Sequence, residues 1–277
     1  MKKLFNYNEA DSFVHNLSGV SKLIGFLIMT FTVMLSYDIR VIAAVMVLAF
    51  FTFRVSGIKL RDLKVVIYYI SFFVTLNFFM TFIFDPDYGA RLYGTRHVLF
   101  SITERYTMTQ EQLFYQLTKI SKYAATIPFG LLFFLTTHPS EFAASMNRIG
   151  LHYKVAYTVS LTLRYLPDIY AEYQNISKAQ QARGLEMSKK QKIGKRIKEY
   201  FKMIFPLIMS SLDRINNISD AMDLRGFAKH NKRTWYHTRK LTRSDIMVII
   251  FTATIFAGSI AVSLFVNEGR YWNPFIQ

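Results

Sequence analysis

Two arginines open the question of what chemistry this chain does. Arg183 closes the phrase NISKAQQARG (Asn175 to Gly184) and Arg225 closes NISDAMDLRG (Asn217 to Gly226). Asn, Ile, Ser, Ala, Arg and Gly recur in the same places, forty-two positions apart. A guanidinium is a planar, permanently charged fork of donors, suited to a bidentate grip on carboxylates or backbone carbonyls. A cation just before a helix stop is also favoured by the helix dipole, by about 0.3–1 kcal/mol, and that alone accounts for a single Arg-Gly. It does not account for Asn, Ile and Ser recurring seven to nine residues before each glycine. Two like helix ends point to two like receptors, with Arg183 and Arg225 as docking anchors. Ala179, Ala182 and Ala221 present small side chains close to the anchors and let a partner surface approach. Gly184 and Gly226 are the residue type that closes a helix in the left-handed conformation.

Catalytic and metal chemistry find less support. There is no Cys, so neither a disulfide framework nor a thiolate metal site. His15, His97, His138, His152, His230 and His237 form no close pair, and H-E-x-x-H is absent. Neither G-x-x-x-x-G-K-[ST] nor G-x-S-x-G occurs, so the chain is not expected to bind ATP or to hold an elbow nucleophile. No catalytic residue, metal ligand or cofactor is assigned. A membrane-embedded enzyme would need paired acidic or His residues near a span end. Asp220 and Asp223 are close, but they flank the second tip and have no acidic counterpart in the first copy.

The elements that must position the tips follow from composition. The chain is 52% hydrophobic and carries a formal net charge of +16. A nucleic-acid binder shares the charge but needs no long uncharged runs. Apolar richness with positive charge suits a membrane protein with a basic cytosolic part. Val65–Phe84 and Ile246–Asn267 are uncharged and long enough to cross about 30 Å of hydrocarbon. Leu23–Tyr37 and Val41–Phe53 are shorter; Lys22, Arg40 and Arg54 flank them and can snorkel to the headgroups. The tight break Asp38–Arg40 makes them a helical hairpin. Tyr123–Thr137 is a fifth run, and its Pro128 frees a carbonyl that neighbouring helices must cover. The basic excess between His138 and Asp245 places that segment in the cytosol and the N-terminus inside. No cleavable signal peptide is expected at MKKLFNYNEADSF.

The fold class is therefore all-α and polytopic, with about five transmembrane helices and a cytosolic helical domain. The expected organisation is 1–137 for the N-terminal transmembrane helices, 138–245 for the cytosolic coupling-helix domain and 246–277 for the last transmembrane helix. Within the insert, Leu166, Ile169, Tyr173 and Ile176 describe one apolar helical stripe, and Ile208, Leu212, Ile215, Ile218 and Met222 another. Pro167 and Pro206 are expected near the two helix starts. SKKQKIGKRIKEY (Ser188 to Tyr200) reads as a solvated basic connector. KHNKRTWYHTRKLTR (Lys229 to Arg243) reads as an orientation signal, with Trp235 and Tyr236 near the membrane interface. The segment 85–116 is expected to be a long outer loop.

These features resemble the T component of energy-coupling factor transporters, the EcfT or CbiQ-like family. That family carries Ala-Arg-Gly signatures at the ends of two coupling helices. The first is intact as Ala182-Arg183-Gly184; the second reads Leu224-Arg225-Gly226, with Leu224 replacing Ala. LTTHPSEFAASMNRIG (Leu135 to Gly150) and LTLRYLPDIYAEYQNISKAQQARG (Leu161 to Gly184) extend the resemblance. VHNLSGVSKL (Val14 to Leu23) is a weaker match, with Gly19-Val20 where Pro-Arg is usual. The resemblance implies a non-catalytic subunit that joins two cytosolic ABC-type ATPases to a small membrane S component capturing a micronutrient, typically a vitamin. The tips differ, Gln180-Gln181-Ala182 against Met222-Asp223-Leu224, which matches a heterodimer of ATPases. A conventional ABC permease normally offers one coupling loop per chain; two tips in one chain argue against it.

Overall fold

The structure, a computed structural model, describes residues 12–36, 38–58, 63–101, 106–184, 193–227, 229, 234–235, 238–267 and 271–275. The N-terminal residues expected inside, the front of the basic connector, His230, Tyr236 and His237 lie outside these. Among the described residues the elements are helices with one short hairpin, so the all-α class holds. The chain divides into two compact units, one made of Met1–His138 with Arg239–Gln277, the other of Pro139–Thr238.

In the first unit, a short turn α1 (Phe13–Asn16) leads into the expected helical pair α2 (Gly19–Leu35) and α3 (Ile39–Val55). Ser18 and Asp38 cap them, each side chain accepting a first-turn N–H, from Ser21 and Arg40 respectively. α4 (Lys64–Phe84) follows and buries none of its residues. α4 and the last helix, α10 (Arg243–Ala261) with the π-helical turn Val262–Val266, are each long and apolar enough to cross a membrane. α6 (Gln110–Thr136), taken with α7 (Pro139–Arg148), is a third candidate, and α2 is a shorter apolar helix. The chain is thus polytopic, and the expected count of five rests on α2 and α3 crossing as well.

The core of this unit lies where α2, α3, α6 and α10 meet. Met29, Val33, Ile42, Val45 and Ala125 form one buried cluster, and Phe53, Leu63 and Leu132 another. Phe26 stacks on Phe133 at 5.7 Å between ring centroids. Pro128 is buried inside α6, where packing covers the turn it weakens.

Three polar knots tie distant parts of the sequence. Asp245 is fully buried. Its Oδ1 accepts from the Ser18 N–H at 2.8 Å and the Ser21 hydroxyl at 2.6 Å, and its Oδ2 accepts from the Thr242 N–H at 2.7 Å. One carboxylate thereby closes the capping box of α10 and holds the start of α2. Lys22 Nζ donates to the Thr136 carbonyl at 2.8 Å and the His15 carbonyl at 3.3 Å, joining α2 to the end of α6. Asp38 accepts from Arg40 Nη2 at 2.7 Å and from Asn267 Nδ2 at 3.2 Å. Burial works against the Asp38 carboxylate, but these hydrogen bonds prevail and hold its pKa below the ordinary value.

The segment 85–116 is not the loop expected. It contains α5 (Tyr88–Tyr93), the antiparallel pair β1 (Val98–Ser101) and β2 (Thr107–Thr109), and the first turns of α6. The start of α6 was legible as Thr-x-x-Gln: Thr109 accepts from the Gln112 N–H at 3.2 Å. Buried Glu111 accepts from the His97 N–H at 3.1 Å and faces His97 Nδ1 at 2.6 Å. Tyr93 packs its ring against Phe114, Tyr271 and Phe275, and Asn273 donates to the Tyr93 carbonyl at 2.8 Å. Burial among these rings pushes the Tyr93 phenol up to about 12.

Gly89 sets how closely α5 approaches α6. Its N–H donates to Gln112 Oε1 at 2.7 Å, and an added Cβ would lie 2.6 Å from the Gln112 backbone and the Glu111 carbonyl. Those atoms belong to a helix backbone and cannot turn aside. Gly89→Ala is therefore expected to destabilise the protein by about 1–3 kcal/mol through overpacking. Thermal unfolding of the purified protein in detergent reads this as a lowered midpoint, and an unchanged midpoint would show that the two helices separate freely.

The second unit contains α7, α8 (Tyr153–Ala182) and α9 (Ile193–Leu224). Here one expectation is corrected: Pro167 and Pro206 do not start these helices but lie well inside them. The upstream sequence continues the helical pattern past each proline. In α9, Ile197, Phe201, Ile204 and Ile208 keep one stripe, and in α8 Tyr153 and Tyr157 stack one turn apart. Each proline removes the bond its N–H would make to the carbonyl four residues earlier, that of Leu163 or Lys202.

Candidate functional site

Both tips form as the sequence expects. At the end of α8 the Arg183 N–H bonds to the Ala179 carbonyl at 3.2 Å, and the Gly184 N–H bonds to the Gln181 carbonyl at 3.0 Å. Gly184 has φ +85°. At the end of α9 the Gly226 N–H bonds to the Asp223 carbonyl and the Phe227 N–H to the Met222 carbonyl, both at 2.9 Å. With Gly226 at φ +62°, this pair of bonds is a Schellman closure. A Cβ built on Gly184 meets nothing within 4 Å. Glycine is favoured there by conformation and not by crowding, since a left-handed L-residue costs about 1–2 kcal/mol.

Ala179, Ala182, Arg183, Gly184, Ala221, Leu224 and Arg225 are all exposed, and Gly226 is half-buried. Leu224 is 89% exposed, an unusual setting for a leucine at a helix end. Among the described residues, neither Arg183 nor Arg225 forms an ion pair with an acidic side chain. Two charged forks thus stand exposed at helix ends, each with alanine or leucine close by. No three His, Asp or Glu side chains among the described residues converge as metal ligands.

The two tips are kept apart. Phe227, just after the second tip, packs on Tyr157 at 4.8 Å and Tyr153 at 5.9 Å, near the beginning of α8. The first tip ends the same helix, so at 1.5 Å per residue the two lie roughly 40 Å from each other. The two helix ends therefore stand at separate places on this unit. Trp235 packs on Tyr153 at 5.7 Å and donates to Asn147 Oδ1 at 3.2 Å.

Three residues outside the repeated phrase join α8 to α9. Glu172 accepts from Arg214 Nη2 at 2.6 Å and from the Ser210 hydroxyl. The signal was present: Glu172 and Arg214 hold the same place in the two copies, forty-two residues apart, with opposite charge.

An apolar stripe also runs along α9 without cover. Ile197, Phe201, Phe205, Ile208, Leu212 and Ile215 are each between 46% and 66% exposed. A stripe of this size on a helix marks a contact with another protein or with lipid.

Spanning helices, a helical unit and a pair of exposed Arg-Gly ends together define a polytopic α-helical membrane protein. Residues 10–236 match the CbiQ family, described as a cobalt transport protein, and the chain belongs to that family. Among its relatives is the energy-coupling factor transporter transmembrane protein EcfT of Exiguobacterium sibiricum, 26% identical over 256 residues, covering 88% of this chain and 92% of that one. The EcfT protein of Staphylococcus aureus is 25% identical over 272 residues, 94% of each chain. A 148-residue stretch is 30% identical to part of a Bifidobacterium longum protein provisionally described as an ABC transporter ATP-binding protein, covering 49% of this chain and 19% of that one.

Proposed function

We propose that the chain is the transmembrane coupling subunit of an energy-coupling factor importer, passing the work of two cytosolic ABC-type ATPases to a small membrane S component that carries a micronutrient. The observation that carries this reading is the duplicated helix end, with an exposed Arg ahead of a left-handed Gly in each copy. The separation of roughly 40 Å along α8 suits one ATPase per tip. A single chain with two like tips does the work that paired permeases do with one each. The Bifidobacterium longum relative supports the partnership, since a segment like this one there belongs to a protein described as ATP-binding.

Hydrolysis then belongs to the partners, and this chain acts as a mechanical link. The uncovered stripe of α9 is the surface offered to the S component, and the uncovered aromatic face of α4 is offered to lipid or to the same partner. In this reading Pro139–Thr238 faces the cytosol together with the N-terminus, and the helices of the first unit cross the plasma membrane of a prokaryote. The differing neighbours of the two arginines favour two non-identical ATPases. The cargo is a vitamin, with a metal ion the other class that the family description names.

The test is affinity purification of the tagged chain from native membranes in mild detergent, with the co-purifying chains identified by mass. Two ABC ATPases with a small hydrophobic protein are expected. Recovery of the chain alone, under conditions that keep such complexes intact, returns the repeated phrase to helix punctuation.

A further inference from the structure

Among the described residues, α8 and α9 share a polar contact whose position in the sequence is not arbitrary. Glu172 precedes Arg183 by eleven residues, and Arg214 precedes Arg225 by the same eleven. At 1.5 Å per residue, each runs about 16 Å from the contact to its own tip. The contact joins equivalent points of the two copies, so each tip stands the same number of residues from it. Its geometry is specific: one carboxylate oxygen takes the guanidinium of Arg214 at 2.6 Å, and the other takes the hydroxyl of Ser210, one turn earlier on the same face of α9. The Glu172 side chain is 20% exposed and that of Arg214 34% exposed, so water screens the pair only in part. The carboxylate is thus held from two sides, which fixes its orientation as well as its distance.

We propose that Glu172 and Arg214, with Ser210, form the pivot that sets the separation of the two Arg-Gly tips, Glu172 being a positioning residue that acts through Arg214. The proposal rests on the docking reading above. If each tip is held by one ATPase, a change in the distance between the ATPases turns α8 and α9 about this contact, each tip at the end of an arm of eleven residues. Without the pivot the helices can slide, and displacement at the tips is absorbed instead of passed on.

The chain has no cysteine, so two introduced ones label it uniquely. Lys178 and Asp220 occupy equivalent positions of the two copies, near the tips, and both are exposed. Spin labels on the full chain carrying Lys178→Cys and Asp220→Cys, in lipid nanodiscs, report the distance between the arms as a pulsed-resonance distribution. A narrow distribution is expected for the parent. A broader one is expected for Glu172→Gln, and for Arg214→Gln should the first variant not fold. The exchange Glu172→Arg with Arg214→Glu is expected to narrow it again. A distribution as narrow in Glu172→Gln as in the parent overturns the pivot, and so does an exchange variant that stays broad. Retention of ATPases by the parent chain is scored separately: its failure overturns docking, while the label distances still decide the pivot.

Discussion

Reversing both tip charges, in Arg183→Glu with Arg225→Glu, is expected to abolish recovery of the ATPases with the chain and to end ATP-driven uptake. Truncating a buried interface arginine typically costs about 2 kcal/mol or more, about thirty-fold in affinity. Reversal adds repulsion from whatever acidic groove receives the guanidinium. The tips are far apart, so the two losses add, to roughly a thousand-fold. Arg183→Lys keeps the charge and loses the planar fork, and should fall between parent and Arg183→Glu. Both arginines are exposed at helix ends, so the variants should fold as the parent does. Uptake and ATPase retention surviving in the double reversal would remove the tips from the mechanism.

The largest stability effect is expected at Asp245. Asp245→Ala removes the acceptor for the Ser18 N–H, the Ser21 hydroxyl and the Thr242 N–H together. Buried donors left without partners make this about a 2–4 kcal/mol loss, beyond the usual value of a helix cap. Asp245→Asn retains one acceptor oxygen and should lose less. Unfolding of the three proteins in one detergent orders them as parent, Asn, Ala. A midpoint for Asp245→Ala equal to that of the parent would mean that water serves these donors equally well.

The elements a sequence shows best are those with local causes. The hairpin of α2 and α3, the long uncharged helices and both Gly closures came from runs, caps and spacing that each lie within a few turns. The prolines misled because their helix-starting preference is a tendency of position, and continued apolar spacing outweighed it in α8 and α9. The cap between α4 and α6 was hidden for a different reason. Its order depends on Tyr271, Asn273 and Phe275, which no local pattern links to Tyr93. The contacts of Trp235 with Asn147 and Tyr153 were hidden likewise, because both partners lie far along the chain. For the candidate site the eight tip residues were legible from one repeated phrase. Glu172 and Arg214 lie outside the ten repeated residues, where a shared offset and not a shared residue type links them.

The tail that seals the cap has a consequence for how the molecule is made. Asn273 reaches back across 180 residues to the Tyr93 carbonyl. A ribosome adding about 5–20 residues per second needs roughly 10–40 s to supply the missing partner. During that interval α5 and its rings wait half assembled, with apolar surface open to aggregation or to an escort. α10 thus leads directly into the closing piece, and the order around Tyr93 is completed only after α10 has been made.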